Sequence, residues 1–183
     1  MRIVSGKYKG RMFHPPGNIK ARPTTDFAKE NLFNILGNRL DFQGSSALDL
    51  FAGTGNISFE LVSRGCEQVT AVEKEISHVR FIQRVKQQLE IDNLKVIRTD
   101  AFRYLEKQPE PFHIIFADPP YHMDEAAQIP PIIFRRGLLR NNGVLILEHD
   151  KDLNIKDSTY LSDQRKYGTV HFSFFSFPPE DPR

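Results

Sequence analysis

Leu48-Asp49-Leu50-Phe51-Ala52-Gly53-Thr54-Gly55-Asn56 carries the reading on which the fold turns. It is an apolar run interrupted by one acid, then a turn containing two glycines, then a polar residue that opens a helical pattern. Gly53 and Gly55 let the backbone come close to a ligand, and the start of a helix favours negative charge. The form is Gly-x-Gly without a third glycine, so a dinucleotide pyrophosphate and another nucleoside-containing ligand both remain open.

Working outward, short apolar runs alternate with helical spacings from residue 45 to residue 149. Strands are predicted at Ala47 to Phe51, Val69 to Glu73, Lys95 to Arg98, His113 to Ala117 and Val144 to Glu148. These are mostly β-branched or large apolar residues, as strands covered on both faces require. Ile57, Leu61 and Val62, and then Val79, Ile82, Val85 and Leu89, follow the i, i+3, i+4 spacing of helices packed on such a sheet. Right-handed crossovers then give an α/β, Rossmann-like, doubly wound and mainly parallel sheet. Residues 163 to 177 read as an antiparallel hairpin at its edge, turning near Tyr167-Gly168, which brings the expected total to seven strands. Upstream, Ala28, Leu32, Ile35 and Leu36 mark an amphipathic helix within 23–40, after Pro23-Thr24-Thr25-Asp26. Pro130-Pro131 is expected to interrupt the helix after the fourth strand. One domain over 1–183 is expected, with a basic N-terminal hairpin at 1–22 and the Rossmann-like core at 45–177.

The carboxyl edge of that sheet collects the polar residues. Glu73 ends the second strand 24 residues after Asp49, near the offset at which an acid accepts hydrogen bonds from a ribose. Asp100, after the third strand, either accepts from an adenine amino group, with Phe102 beside the ring, or caps a helix. Asp118-Pro119-Pro120-Tyr121 follows the fourth strand directly. An aromatic amine is a weak nucleophile because its lone pair is delocalised into the ring. A carboxylate and backbone carbonyls aimed at its two hydrogens localise that pair, the prolines fix the loop and remove competing donors, and a tyrosine face can take a base drawn out of its stack.

The glycine turn, the acid after the second strand and the Asp-Pro-Pro-Tyr loop resemble class I S-adenosylmethionine methyltransferases that modify amino groups of bases. More narrowly, Arg2-Ile3-Val4-Ser5-Gly6-Lys7-Tyr8-Lys9-Gly10-Arg11, Arg22-Pro23-Thr24-Thr25-Asp26 and Glu30-Asn31-Leu32-Phe33-Asn34 resemble the ribosomal small-subunit methyltransferase D family. The likeness extends through Ser63-Arg64-Gly65 to Arg165-Lys166-Tyr167-Gly168. The chain departs from the family at Asn56-Ile57-Ser58-Phe59, where small apolar residues are usual, and at Pro130-Pro131. The resemblance implies S-adenosylmethionine-dependent methylation of a guanine N2 in 16S ribosomal RNA, with ribosomal RNA or a small-subunit particle as partner. Asp118, Pro119, Pro120 and Tyr121 are the expected catalytic set. Asp49, Phe51, Gly53, Gly55, Glu73, Lys74, Asp100, Ala101 and Phe102 are the expected cofactor set. Lys7, Lys9, Arg11, Arg22, Thr24 and Thr25 are the expected RNA contacts.

Charge distribution agrees with a nucleic-acid partner. Residues 1–22 hold Arg2, Lys7, Lys9, Arg11, Lys20 and Arg22 and no acid, a charge of +6 in a chain whose total is +2, so the remainder stands at −4. Such an arm either touches phosphates or is a solvated tail, and the interleaved Tyr8, Phe13, Gly6 and Gly10 favour an ordered hairpin. The chain has 183 residues, 39% of them hydrophobic, enough for a continuous core. The early residues lack an apolar run, Cys66 is the single cysteine, and no stretch nears the roughly 20 apolar residues that span a bilayer. A cytoplasmic monomer without a membrane segment is expected. His14, His78, His113, His122, His149 and His171 show no metal-ligand spacing, so no metal is expected, although His122 and His149 fall near the carboxyl edge. Two other functions share parts of this pattern: an adenine-N6 or cytosine-N4 DNA methyltransferase, and a cofactor-binding RNA partner without activity. The chain lacks an insertion large enough to read a DNA sequence, and the intact Asp118 to Tyr121 loop opposes the inactive alternative.

Overall fold

In a computed structural model, which describes residues 1–17, 25–107, 110–121, 123–153, 155 and 159–178, the alternation becomes seven strands in one sheet. In chain order the elements are α1 (Asp26–Arg39), β1 (Ser46–Leu50), α2 (Asn56–Ser63), β2 (Gln68–Glu73), α3 (Ile76–Gln88), β3 (Leu94–Arg98), α4 (Ala101–Lys107), β4 (Phe112–Ala117), a 3-10 turn (Asp124–Gln128), α5 (Ile129–Arg135), β5 (Leu139–His149), β6 (Leu161–Tyr167) and β7 (Val170–Phe175). The strand order is β3-β2-β1-β4-β5-β7-β6. The first five strands run parallel, and β7 inserts antiparallel between β5 and the edge strand β6.

Both faces of the sheet are apolar because both are covered. Ile114, Phe116, Val144, Ile146, Phe172 and Phe174 face α1, α2 and α3, where they meet Leu32, Phe33, Ile57 and Ile82. The alternate residues Leu48, Leu50, Ile115, Ala117, Leu145, Leu147 and Phe175 face α4 and α5, against Leu105, Ile129 and Ile133. The phenylalanine-rich C-terminal strand is therefore core: Phe172, Phe174 and Phe175 are fully buried.

Two expectations change in detail. Pro130 and Pro131 do not interrupt a helix; they stand in the first turn of α5, where an amide N–H has no intrahelical partner to lose. The N-terminal hairpin closes on a single isolated antiparallel bridge, Arg2 with Met12, rather than on two strands. It is nonetheless tightly fitted. The Lys7 N–H donates to the Ser63 carbonyl at 2.7 Å, and the Val4 N–H donates to Glu60 Oε2 at 2.8 Å. Gly6 has φ +78°, and a Cβ there would fall 1.8 Å from the Ser63 carbonyl oxygen, so glycine is required both for backbone hand and for space. Lys20, Arg22 and Thr24, three of the residues expected to meet RNA or to belong to its arm, lie outside the described residues.

One buried cation joins this arm to the core. Lys29 on α1 and Glu60 on α2 have no solvent exposure. The Lys29 Nζ donates to the Arg2 carbonyl and to Asn56 Oδ1, the latter at 2.7 Å, and stands 3.8 Å from Glu60 Oε2. Burial pulls the ammonium below the usual lysine range, opposed by the charges of Glu60 and Asp26. Arg64 Nε holds the other Glu60 oxygen at 2.8 Å. Lys29→Met leaves Glu60 with Arg64 as its one cation among the described residues, and should cost about 3 kcal/mol. The loss would be read as a lower urea midpoint at unchanged slope; a loss below about 1 kcal/mol, the scale of an exposed pair, would show that the contact is incidental.

Candidate active site

Parallel pairing sets Leu50 beside Ala117, so the loops that leave β1 and β4 emerge side by side where the strand order reverses. Open α/β sheets place ligands at this reversal. Here it floors a cavity of about 760 Å³ at the carboxyl edge. The cavity collects Phe51 and Gly53 from β1, Glu73 and Lys74 from β2, Asp100 and Ala101 from β3, and Asp118, Pro119, Pro120 and Tyr121 from β4. Thr25, at the start of α1, reaches its far wall.

The β1 loop is held by β2. Glu73 Oε2 accepts from the Gly53 N–H at 2.7 Å and its Oε1 accepts from the Glu75 N–H at 2.8 Å, which ties the glycine turn to the start of α3. Each carboxylate oxygen has a further lone pair for a ligand hydroxyl. Phe51 takes a left-handed backbone, φ 62°, uncommon for a residue with a side chain and here found at the ligand cavity. Gly55, at φ +79°, caps α2; a Cβ there would meet the Phe59 ring at 2.9 Å and Ile82 at 3.1 Å. The glycine thus serves close packing of α2 on α3, below the cavity rather than in its wall.

Other expected cofactor residues support the wall from behind. Asp49 is buried beneath it and accepts from the Ser58 N–H at 3.0 Å and from the Ser58 hydroxyl, bracing the first turn of α2. Burial pushes its carboxyl up to about 7, against the two Ser58 hydrogen bonds. Phe102 stands edge-on to Phe51 with ring centroids 6.5 Å apart, so it backs the ring that faces the cavity. Asp100 combines its two expected placements: Oδ1 caps α4 by accepting from the Phe102 and Arg103 N–H groups at 3.0 and 3.2 Å, and the residue also lines the cavity.

The Asp118 to Tyr121 loop is a partition. Pro119, Pro120, Tyr121 and Met123 line the large cavity on one side and a second of about 330 Å³ on the other, which Asp124, His149 and Asp150 help to enclose. His149 is buried rather than loop-exposed: its Nε2 lies 2.8 Å from Ser173 Oγ and its Nδ1 2.6 Å from the Asp150 carbonyl. Burial holds it below the usual imidazole range. His122 lies outside the described residues. Burial pushes the Cys66 thiol up to about 12, so it stays protonated and packs as a small apolar group.

Lys7, Lys9 and Arg11 are exposed on the N-terminal hairpin and stand outside the cavity wall. Residues that sequence reasoning passed over do line it: Phe27, His78, Thr99, Glu148 and the β6–β7 turn at Tyr167, Gly168 and Thr169. Glu148 carried a signal, an acid closing the apolar run Val144 to Leu147 at a carboxyl edge. Phe27 and Tyr167 carried none, because their edge-on contact at 6.1 Å joins α1 to a hairpin 140 residues away along the chain.

Comparison with known proteins agrees with this arrangement. A family model described as Conserved hypothetical protein 95 matches residues 1–176. Ribosomal RNA small subunit methyltransferase D of Haemophilus influenzae is 32% identical over 182 residues, covering 96% of this chain and 93% of its own. The protein of the same name from Buchnera aphidicola subsp. Baizongia pistaciae is 30% identical over 179 residues, covering 96% and 91%. Among solved structures, a hypothetical protein of Thermus thermophilus superposes with TM-score 0.84 at 29% identity, over 96% of this chain and 99% of that one. The fold, the cavity and these relatives lead to one assignment: the chain belongs to the Conserved hypothetical protein 95 family, in which the ribosomal RNA small subunit methyltransferases D stand.

Proposed function

We propose that the protein methylates the exocyclic N2 amino group of a guanine in 16S ribosomal RNA, with S-adenosylmethionine as methyl donor. The observation that carries this reading is that Asp118-Pro119-Pro120-Tyr121 shares one cavity with Gly53, Glu73 and Asp100. The residues present suit the cofactor. Glu73 offers acceptors to a ribose diol, Asp100 offers its second carboxylate oxygen to an adenine amino group, the Phe51 ring offers a face to the purine, and the Gly53 turn leaves room for the amino-acid portion. The cavity has the volume of a ligand pocket able to take a nucleoside cofactor together with the edge of a base. When bound, the cofactor supplies an electrophilic methyl group on a sulfonium.

The chain's own residues then prepare the nucleophile. The Asp118 carboxylate and the Pro119 carbonyl accept hydrogen bonds from the two amine hydrogens, which keeps the lone pair on nitrogen and turns it toward the cofactor side. Tyr121 stacks on the extruded base. As the nitrogen gains the methyl group it gives up one proton, to Asp118 or to solvent. Most of the rate comes from positioning. The exposed Lys7, Lys9 and Arg11 neutralise phosphates of the RNA outside the cavity.

Mass spectrometry of nucleosides from ribosomal RNA, made with and without the gene, should show one N2-methylguanine lost with the gene; an unchanged spectrum, or the loss of a methylated adenine or cytosine, would reject this substrate. In single-turnover methylation, Asp118→Ala should fall roughly 10²-fold or more, with Asp118→Asn retaining more activity than Ala. Tyr121→Phe should stay near wild type and Tyr121→Ala should not, because stacking needs the ring. A folded Asp118→Ala protein working at the wild-type rate would refute the chemistry.

Calorimetry of Glu73→Ala should show cofactor binding weaker by about 1–3 kcal/mol, since the change removes both a ribose acceptor and the brace on Gly53. Unaltered affinity in the folded variant would take Glu73 out of the site.

The arm is tested by charge, not by deletion, because Ile3 and the Arg2 carbonyl are built into the core. Lys7→Glu, Lys9→Glu and Arg11→Glu together should weaken RNA binding and flatten its salt dependence while leaving cofactor affinity unchanged. An identical salt slope would make the arm purely structural.

A further inference from the structure

Every base with an exocyclic amine offers two N–H groups to an Asp-Pro-Pro-Tyr loop, so that loop cannot by itself tell guanine from adenine or cytosine. What differs is the ring atom beside the amine. Guanine carries a donor there, N1–H, whereas adenine N1 and cytosine N3 carry lone pairs. A site that selects guanine needs an acceptor at that neighbouring position.

One buried carboxyl lies next to Asp118. Glu148 is 3% exposed yet lines the cavity with Asp118 and Tyr121. The register of β4 with β5 ends in the pair Ala117 and Leu147, so the next residues along the two parallel strands are Asp118 and Glu148, neighbours at a strand spacing of about 4.8 Å. Strand alternation turns Glu148 to the face of Val144 and Ile146, whose surroundings are apolar. The same alternation sets Asp118 on that face after Ile114 and Phe116, so two carboxyl groups stand side by side at the wall of the cavity.

Resting on the guanine reading above, we propose that Glu148 is the specificity residue of this site: its carboxylate accepts the N1–H of the target guanine while Asp118 takes the adjacent amine. The same carboxylate repels the N1 lone pair of adenine and the N3 lone pair of cytosine, so it rejects the wrong base as well as holding the right one.

2,6-Diaminopurine separates the two edges, because it keeps the 2-amino group of guanine but has a lone pair at N1. The methylated nucleotide is mapped by mass spectrometry, and a ribosomal RNA carrying diaminopurine at that position is made by splinted ligation. Wild type should prefer guanine over diaminopurine by about 10²-fold or more in kcat/KM. In Glu148→Gln the amide can accept from N1–H or donate to a lone pair, so the preference should fall below about tenfold, chiefly through a gain on diaminopurine. Because both enzymes act on the same two RNAs, any effect of the analogue on RNA folding cancels. Cofactor affinity of Glu148→Gln should equal that of wild type. Wild type that accepts both bases equally overturns the proposal without recourse to a variant, and so does a folded Glu148→Gln that keeps the full preference. Methylation of a base other than guanine by wild type would instead overturn the underlying reading, and this assignment with it.

Discussion

The parallel pairing of β1 with β4 at the middle of the sheet is the constraint from which the site follows. The two strands are separated in sequence by three helical connections, α2, α3 and α4, yet their last residues, Leu50 and Ala117, are register partners. To one side of β1 the chain has wound through β2 and β3, and to the other through β4 and β5. The loops at the reversal diverge to opposite faces and leave a crevice between them. Residues at the ends of β1 through β5 are therefore delivered to one cavity.

The buried Lys29 ammonium performs a second coupling. Its partners belong to two other pieces of the chain, the Arg2 carbonyl in the arm, and Asn56 and Glu60 one turn apart on α2. Since α2 begins directly after the glycine turn, the same contact that seats the basic arm also seats the loop at the cofactor edge. Arg64 extends this network by holding Glu60 at 2.8 Å while its guanidinium lies 4.6 Å from the Phe33 ring centroid. Buried ion pairs contribute little net stability compared with apolar packing, but they penalise any arrangement that breaks them. That property suits a joint that fixes one orientation of the basic arm relative to the cavity at the carboxyl edge.

Much of this was legible in the sequence, for identifiable reasons. Strands such as Ile114 to Ala117 are apolar on both faces and short, so their type and their burial could be read together. Asp118 to Tyr121 could be assigned to a strand end because its prolines cannot continue a ladder. Harder cases arise where one residue type has several physical uses. Asp49 and Gly55 belong to the ligand-binding motif by spacing, and in the fold Asp49 Oδ2 also braces Ser58 while Gly55 leaves room for Phe59 and Ile82. Pro130 and Pro131 break a helix from within and begin one from its end, and only the preceding 3-10 turn decides which. Lys29 sits on a helix whose periodic apolar residues do not reveal that a lysine among them is buried, because its partners come from elsewhere in the chain. The contact of Phe27 with Tyr167 depends on where an edge hairpin lies in space, which no local pattern encodes.

The shape of the Asp118 to Tyr121 loop explains its prolines. Cavities on both sides of the loop deprive it of the dense apolar packing that fixes β4 behind it. A loop so placed would ordinarily sample several conformations, and each of them would turn Asp118 differently toward the cavity. Two successive prolines restrict the backbone covalently, and the Met123 N–H donating to the Pro120 carbonyl at 3.2 Å closes the turn after them. Asp118 itself precedes a proline, which biases it toward extended backbone and continues the line of the strand into the cavity. The rigidity that the core supplies elsewhere is supplied here by local chemistry. The loop can therefore stand between two open spaces with its backbone restricted by its own prolines and turn.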